Sequence, residues 1–252
     1  MVHNETGNIW THLLGLIYYI SVLYRWCRSH ALFDPLEPKA PHDLMHILVE
    51  FDSFTVVTYM ASGLLCMFSS SCFHTFVCKG HHAHDCCLRF DLSGVATHIA
   101  LSFLCGIHFA FRCYPVCQTV YLIASAVMSF FLIASPHLRF MQRPKNPWRL
   151  RVFAGAGICG AIPMFHFLVV GTPEFIRRAW FPCAGMAGSY LFGVFIFLNK
   201  IPEKWAPGTF DLIGQSHQLW HVCVLAGSYI WLCGLIDWYH FVHSPAGQCE
   251  GE

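Results

Sequence analysis

Apolar positions along the chain gather into seven long runs, roughly Ile9 to Trp26, Phe54 to Val77, Val95 to Phe111, Val116 to Ala134, Val152 to Val170, Ala179 to Leu198, and Leu219 to Trp238. Each is about 17 to 24 residues, which suits a helix rising about 1.5 Å per residue across about 30 Å of hydrocarbon. Membrane strands would be about ten residues long and would alternate apolar and polar positions, and no alternation is visible. The pattern predicts an all-α fold, an integral membrane bundle of seven transmembrane helices.

Polar, turn-rich connectors separate the runs: DPLEPKAPHD at 34–43, CKGHHAHDCCLRFD at 78–91, HLRFMQRPKNPWRLR at 137–151 and NKIPEKWAPG at 199–208. Prolines mark most of these breaks, because proline removes a helical donor and clashes with the preceding turn. Pro163 falls inside the fifth run and predicts a kink. No repeat divides the chain, so the expected organisation is an N-terminal stub at 1–8, one seven-span domain at 9–243 and a short tail at 244–252.

Composition agrees with the pattern. Hydrophobic residues make up 56% of the 252 and charged residues 12%, about half the share of a soluble domain. A net charge of +1 without a basic domain argues against a nucleic-acid partner. The charges that remain set an orientation, since cytosolic loops collect Lys and Arg. The side holding the N-terminus carries nine, Lys79, Arg89, Arg139, Arg143, Lys145, Arg149, Arg151, Lys200 and Lys204. The other side carries six, Arg25, Arg28, Lys39, Arg112, Arg177 and Arg178. The expected topology places the N-terminus in the cytosol and the C-terminus in an extracellular or lumenal space.

Two further readings follow from that topology. Asn4-Glu5-Thr6 fits a glycosylation sequon, but a cytosolic N-terminus never meets the machinery, so the match is read as chance. The start, MVHNETGN, is not a signal peptide, and its abruptness suggests that a longer cytosolic N-terminal segment is missing. The fourteen cysteines are scattered through the spans, as at Cys66, Cys105, Cys159 and Cys223, where they serve as small apolar residues. They imply no disulfide framework.

Ionisable residues inside apolar runs are rare and usually functional. The second run ends with Ser70 and His74, the third begins at Asp91, and the seventh begins with His217 and His221. In the expected topology all of these fall at one depth, near the cytosolic face. His217 and His221 stand one helical turn apart on one face, and three histidines with a carboxylate suit zinc. The HExxH proteases place a Glu after the first His of such a pair. Here that residue is Gln218, which cannot act as a base, so Asp91 is the best-placed carboxylate for that work. The bland alternative is that these are interfacial or hydrogen-bonded structural histidines.

Near the start, Glu5, Asn8, Thr11 and His12 fall on one helical face and read as an interhelical hydrogen-bond seam, a role around a substrate headgroup being the alternative. In CKGHHAHDCC, the residues Cys78, His81, His82, His84, Asp85, Cys86 and Cys87 are too crowded for a standard Cys/His zinc spacing. That stretch reads as a solvated cytosolic loop, a second metal site being its alternative.

The stretches NETGNIWTHLLG, SSSCFHTF followed by DLSG, and PGTFDLIGQSHQLWHV resemble the progestin and adipoQ receptor family, to which the adiponectin receptors belong. KIPEKWAPG, SHQLWH and the final HSP resemble its Golgi-associated, Raf-kinase-trapping subgroup. The resemblance implies zinc on His74, His217 and His221, with Asp91 coordinating directly or through water and Ser70 in support. It also implies the same inverted topology, in the plasma membrane or the Golgi membrane. Zinc-activated hydrolysis of a lipid amide such as ceramide, with sphingoid base or fatty acid held in the bundle, is the activity it implies. A protein or steroid ligand on the outer face and a cytosolic signalling protein are the partners it implies. The rival reading is a non-catalytic receptor or scaffold in which zinc is structural and a cytosolic kinase is anchored.

Overall fold

The computed structural model describes residues 3–30, 44–142 and 147–249. The connector at 34–43, Lys39, Arg143 and Lys145 therefore lie outside the described residues. Among the described residues all regular structure is helical, in seven long helices: α1 Thr6–Ser29, α2 Leu44–Phe76, α3 His81–Ala110, α4 Pro115–Ala134, α5 Pro147–Val170, α6 Pro173–Asn199 and α7 Ser216–Val242.

Each helix covers one of the seven apolar runs to within a residue at its end, and most extend beyond it. Hydropathy marks the lipid-soaked part of a helix, whereas backbone hydrogen bonding carries the helix on past that depth. Prolines stand at the first helical positions of α4 and α6, where the missing N–H is no loss. The start of α6 is capped by Thr172, whose Oγ1 accepts from Phe175 N at 3.4 Å. Pro163 lies inside α5 as expected, and Pro182 lies inside α6 as well.

The largest correction concerns the segment read as a solvated loop. Gly80, at φ 110°, precedes a helix that begins at His81, so the Cys/His-rich stretch forms the first turns of α3. Nothing between Gly80 and Asp91 breaks a helix, and helical geometry spreads these side chains around the axis. Among the described residues they form no group of three or more close enough to share an ion. Asp91 accordingly sits about three turns inside α3 rather than at its start.

Six helices, α2 to α7, are long and apolar enough to cross a membrane. The 24-residue α1 has the length but is less apolar, with Asn8, His12, Arg25 and Arg28 along it. Burial sorts the helices into two groups. In the most apolar window of α2 and α3, 56% and 50% of residues are buried, against 17% in each of α4, α5 and α6. Thus α2, α3 and α7 form the inside of the bundle, while α4 to α6 turn residues such as Val120, Phe130, Phe165, Val169 and Leu191 outward. The protein is an integral membrane protein built from these helices.

Close approach of α6 and α7 depends on glycine. A Cβ on Gly193 would lie 2.7 Å from Cys223 Cβ and from the Trp220 ring, and one on Gly234 would lie 2.5 Å from Pro182 Cβ. Small residues at such crossings let backbones pack where lipid gives no hydrophobic drive. Halfway along the bundle, His98 accepts or donates at 2.8 Å to Ser62 Oγ and at 2.6 Å to Ser228 Oγ. Tyr59 donates to the Ser228 carbonyl at 3.1 Å, and the Tyr19 hydroxyl meets Ser228 Oγ. These contacts join α1, α2, α3 and α7 through groups that satisfy one another away from water.

At the end where α3 and α7 finish, Asp52 is buried and meets the Arg112 guanidinium, His108 Nε2 at 2.5 Å and His243 Nε2 at 3.1 Å. Beside it Cys113 and Cys249 form a disulfide. The cysteines imply no disulfide framework by sequence, and this one pair corrects that reading: the two stand 136 positions apart, a distance that sequence spacing alone does not bridge. The other described cysteines are free.

Candidate metal centre

The first turn of α1, the last turns of α2, the third turn of α3 and the first turns of α7 meet at the opposite end of the bundle. There His74, His217 and His221 each present one nitrogen within 4.8 Å of the others, His74 and His221 buried and His217 partly so. Their ring centroids are 5.2 Å apart for His74 and His217, 4.9 Å for His74 and His221, and 4.6 Å for His217 and His221. Two of these histidines come from one face of α7 by the one-turn spacing, and the third comes from α2, whose packing against α7 brings it across.

Glu5 Oε2 lies 2.7 Å from His74 Nδ1. That hydrogen bond is the main influence holding the Glu5 carboxyl down to about 2, against the upward push of burial. An ionised carboxylate only accepts, so His74 Nδ1 is the donor, and in the neutral ring Nε2 keeps its lone pair. Asn8 Nδ2 donates to the same Glu5 oxygen at 2.7 Å.

A similar arrangement holds His221. Thr11 Oγ1 lies 2.9 Å from the Gly7 carbonyl and 3.0 Å from the Asn8 carbonyl, to which its hydroxyl can donate. It lies 3.3 Å from His221 Nδ1 and is thus placed to accept from that nitrogen. His12 stacks on His221, with ring centroids 3.8 Å apart and planes 17° apart. Of the stripe, Glu5 and Thr11 hydrogen-bond across to triad histidines, Asn8 bonds Glu5, and His12 touches His221 by stacking.

Asp91 lies outside the three-nitrogen cluster. Its carboxylate stands beside Ser70 and within the electrostatic reach of His74, and its Oδ1 is buried without a partner. These residues fit a metal ion. Three imidazoles converge, two have their Nε2 lone pairs freed by hydrogen bonds at Nδ1, and an unsatisfied carboxylate oxygen stands nearby, where a water or a ligand could satisfy it.

Gln218, between the two α7 histidines, does different work. Its Oε1 accepts from Gly214 N at 2.8 Å, and its Nε2 donates to the Leu212 carbonyl at 3.0 Å and the Asn4 carbonyl at 3.4 Å. It ties the segment before α7 to the N-terminal stub, and Gly7 passes so close that a Cβ there would collide with the Gln218 amide. Glu203 Oε1 accepts from both Ser216 N and Ser216 Oγ at 2.8 Å, fixing the start of α7. A cleft of about 610 Å³ lined by His3, Asn4, Glu203, Phe210, Asp211, Leu212 and Gln215 opens beside it.

Sequence reading missed three features: Glu203 at the start of α7, the Asp52 cluster and the disulfide. Asp52, His108 in the last turn of α3 and Arg112 just past its end are charged or titratable groups at the ends of apolar runs, which is the signal that could have found them.

A family model described as Haemolysin-III related matches residues 1–232. The chain is 31% identical to "Heptahelical transmembrane protein 1" of Arabidopsis thaliana, over 90% of this chain and 67% of that protein. It is 30% identical to "Adiponectin receptor protein" of Drosophila melanogaster, over 94% of this chain and 51% of that one. To "Progestin and adipoQ receptor-like protein 1" of Caenorhabditis elegans it is 29% identical, over 94% and 52%. The chain thus spans about half the length of the two animal relatives.

Proposed function

Because the chain belongs to the haemolysin-III-related family, which takes in proteins named as progestin and adipoQ receptors, we propose that it is a seven-span receptor-class protein whose triad holds zinc for lipid amide hydrolysis. The Asp91 Oδ1 left without a partner beside three convergent imidazoles carries this reading. A four-ligand structural site has no use for a carboxylate held apart from the cluster, whereas a catalytic site keeps an open position.

The triad end faces the cytosol in this proposal. Loop charges favour that side, and the Cys113–Cys249 disulfide at the far end belongs in an extracellular or lumenal space. Plasma and Golgi membranes both present such a face. α1 is the seventh span, its polar side turned to the bundle.

Zinc at this site would supply Lewis acidity and a water that loses its proton near neutral pH. His74, His217 and His221 would hold it, with Glu5 and Thr11 fixing the tautomers of the first and third. As the water oxygen bonds to the acyl carbon and the C–N bond breaks, Asp91 Oδ1 takes the proton that the water gives up and passes it to the departing amine. Ser70, beside Asp91, helps to position its carboxyl. The depth of the site selects an amide on a membrane lipid, ceramide being the substrate that family resemblance favours.

Full-length protein in lipid nanodiscs, incubated with acyl-labelled ceramide, is expected to release fatty acid, to stop on chelation and to resume on addition of zinc. Zinc-loaded protein that releases none would remove the hydrolase half of this proposal.

A further inference from the structure

Around the triad, side chains of two helices keep buried polar atoms unpaired among the described residues. Asn8 is 2% exposed, and its Oδ1 makes no hydrogen bond; His12 is 4% exposed, and neither ring nitrogen makes one. Asp91 Oδ1 is in the same condition. The His221 backbone influences the His12 ring without meeting hydrogen-bond geometry. Unpaired buried groups are costly, and three residues so placed about one site call for a group that pairs them.

The chemistry of that group follows from the donor inventory. Asn8 Nδ2 donates to Glu5, and a carboxylate only accepts, so the amide orientation is fixed and the open end of Asn8 is its acceptor. Asp91 Oδ1 accepts too. A neutral His12 adds one donor and one acceptor. Unfilled acceptors therefore outnumber donors three to one, so a carboxylate, which brings acceptors only, fits poorly. A group carrying O–H and N–H donors fits.

His12 is not a fourth ligand to the metal. Its ring lies nearly parallel to that of His221 and 3.8 Å away. His12 is not among the three residues whose nitrogens converge.

We infer that α1 carries a hydrogen-bonding subsite, made by Asn8 Oδ1 and His12, for the hydroxyl and amide N–H donors of an amphiphile's headgroup. The amphiphile, though not the hydrogen-bond inventory, rests on the lipid reading above. In consequence the site discriminates hydroxyl-bearing amides from those lacking the hydroxyl.

The test is binding of two long-chain ureas that resist hydrolysis, one with a hydroxyethyl head and one with a propyl head, to the full chain in nanodiscs. Wild type is expected to bind the hydroxyethyl urea about tenfold more tightly. His12→Phe keeps the stacked ring and is expected to shrink the preference to within about twofold, with zinc content unchanged. Asn8→Ala, assayed with zinc added to saturation, is expected to shrink the preference likewise and carries the test should His12→Phe fail to fold. No preference in wild type, an intact preference in the variants that fold, or loss of zinc from His12→Phe would overturn the inference. Urea binding needs no turnover, so a chain that hydrolyses ceramide yet shows no preference sinks the subsite alone. A chain with the preference and no hydrolysis sinks the hydrolase reading alone.

Discussion

Glu5, the residue capping the start of α1, and His74 on α2 are joined by a 2.7 Å hydrogen bond between Oε2 and Nδ1 across 69 positions of sequence. The carboxylate orients the imidazole and fixes its tautomer. Glu5→Gln is expected to weaken zinc binding about 10- to 100-fold while leaving helix content unchanged, as read by chelator competition and circular dichroism. Unaltered affinity would show that Glu5 only pins α1 to α2.

The position of Asp91, outside the cluster of three nitrogens and with Oδ1 unpaired, separates holding metal from using it. Asp91→Asn is expected to keep zinc and to lower amide hydrolysis about 100-fold or more, the usual scale for removing a positioned acid–base group. Zinc analysis and fatty-acid release on the same preparation check this. Zinc lost together with activity would make Asp91 a ligand.

Topology can be tested at the cysteines. Cys78 and Cys86 are free and exposed at the triad end, while Cys113 and Cys249 are paired at the other. A membrane-impermeant maleimide applied to sealed cells is expected to label Cys113 and Cys249 only after reduction, and to reach Cys78 and Cys86 only after permeabilisation. The opposite pattern would invert the protein.

Asp52 is 1% exposed, while its partners Arg112 and His108 are 21% and 16% exposed. Breaking a buried ion pair costs about 3 to 5 kcal/mol, and the partial exposure of the partners places Asp52→Asn near the lower end. A fall in the thermal midpoint without loss of zinc is the expected result, since the cluster lies at the far end of the bundle from the triad.

Much of this arrangement was legible in the sequence, for reasons that also mark its limits. Lipid admits only backbone that satisfies itself, so seven apolar runs gave seven helices. The single-depth coincidence of His74, Asp91, His217 and His221 depended only on counting spans. The first turns of α3 were misread because polar side chains say where lipid ends, not where a helix ends. Asp52 with Arg112 and His243, and Cys113 with Cys249, join residues that are far apart in sequence. Only the packing of α2, α3 and α7 reveals those pairs. The stripe at Glu5, Asn8, Thr11 and His12 was visible as a helical face, but which helices it faced was not.

The central claim is that His74, His217 and His221 together hold one metal ion. It is tested most directly by metal analysis of full-length protein purified without chelators, beside the variant carrying His74→Ala, His217→Ala and His221→Ala. The expected result is about one zinc per chain in wild type and none in the variant, with both folded by circular dichroism. A wild type free of metal, or a variant that keeps its zinc, would contradict the claim.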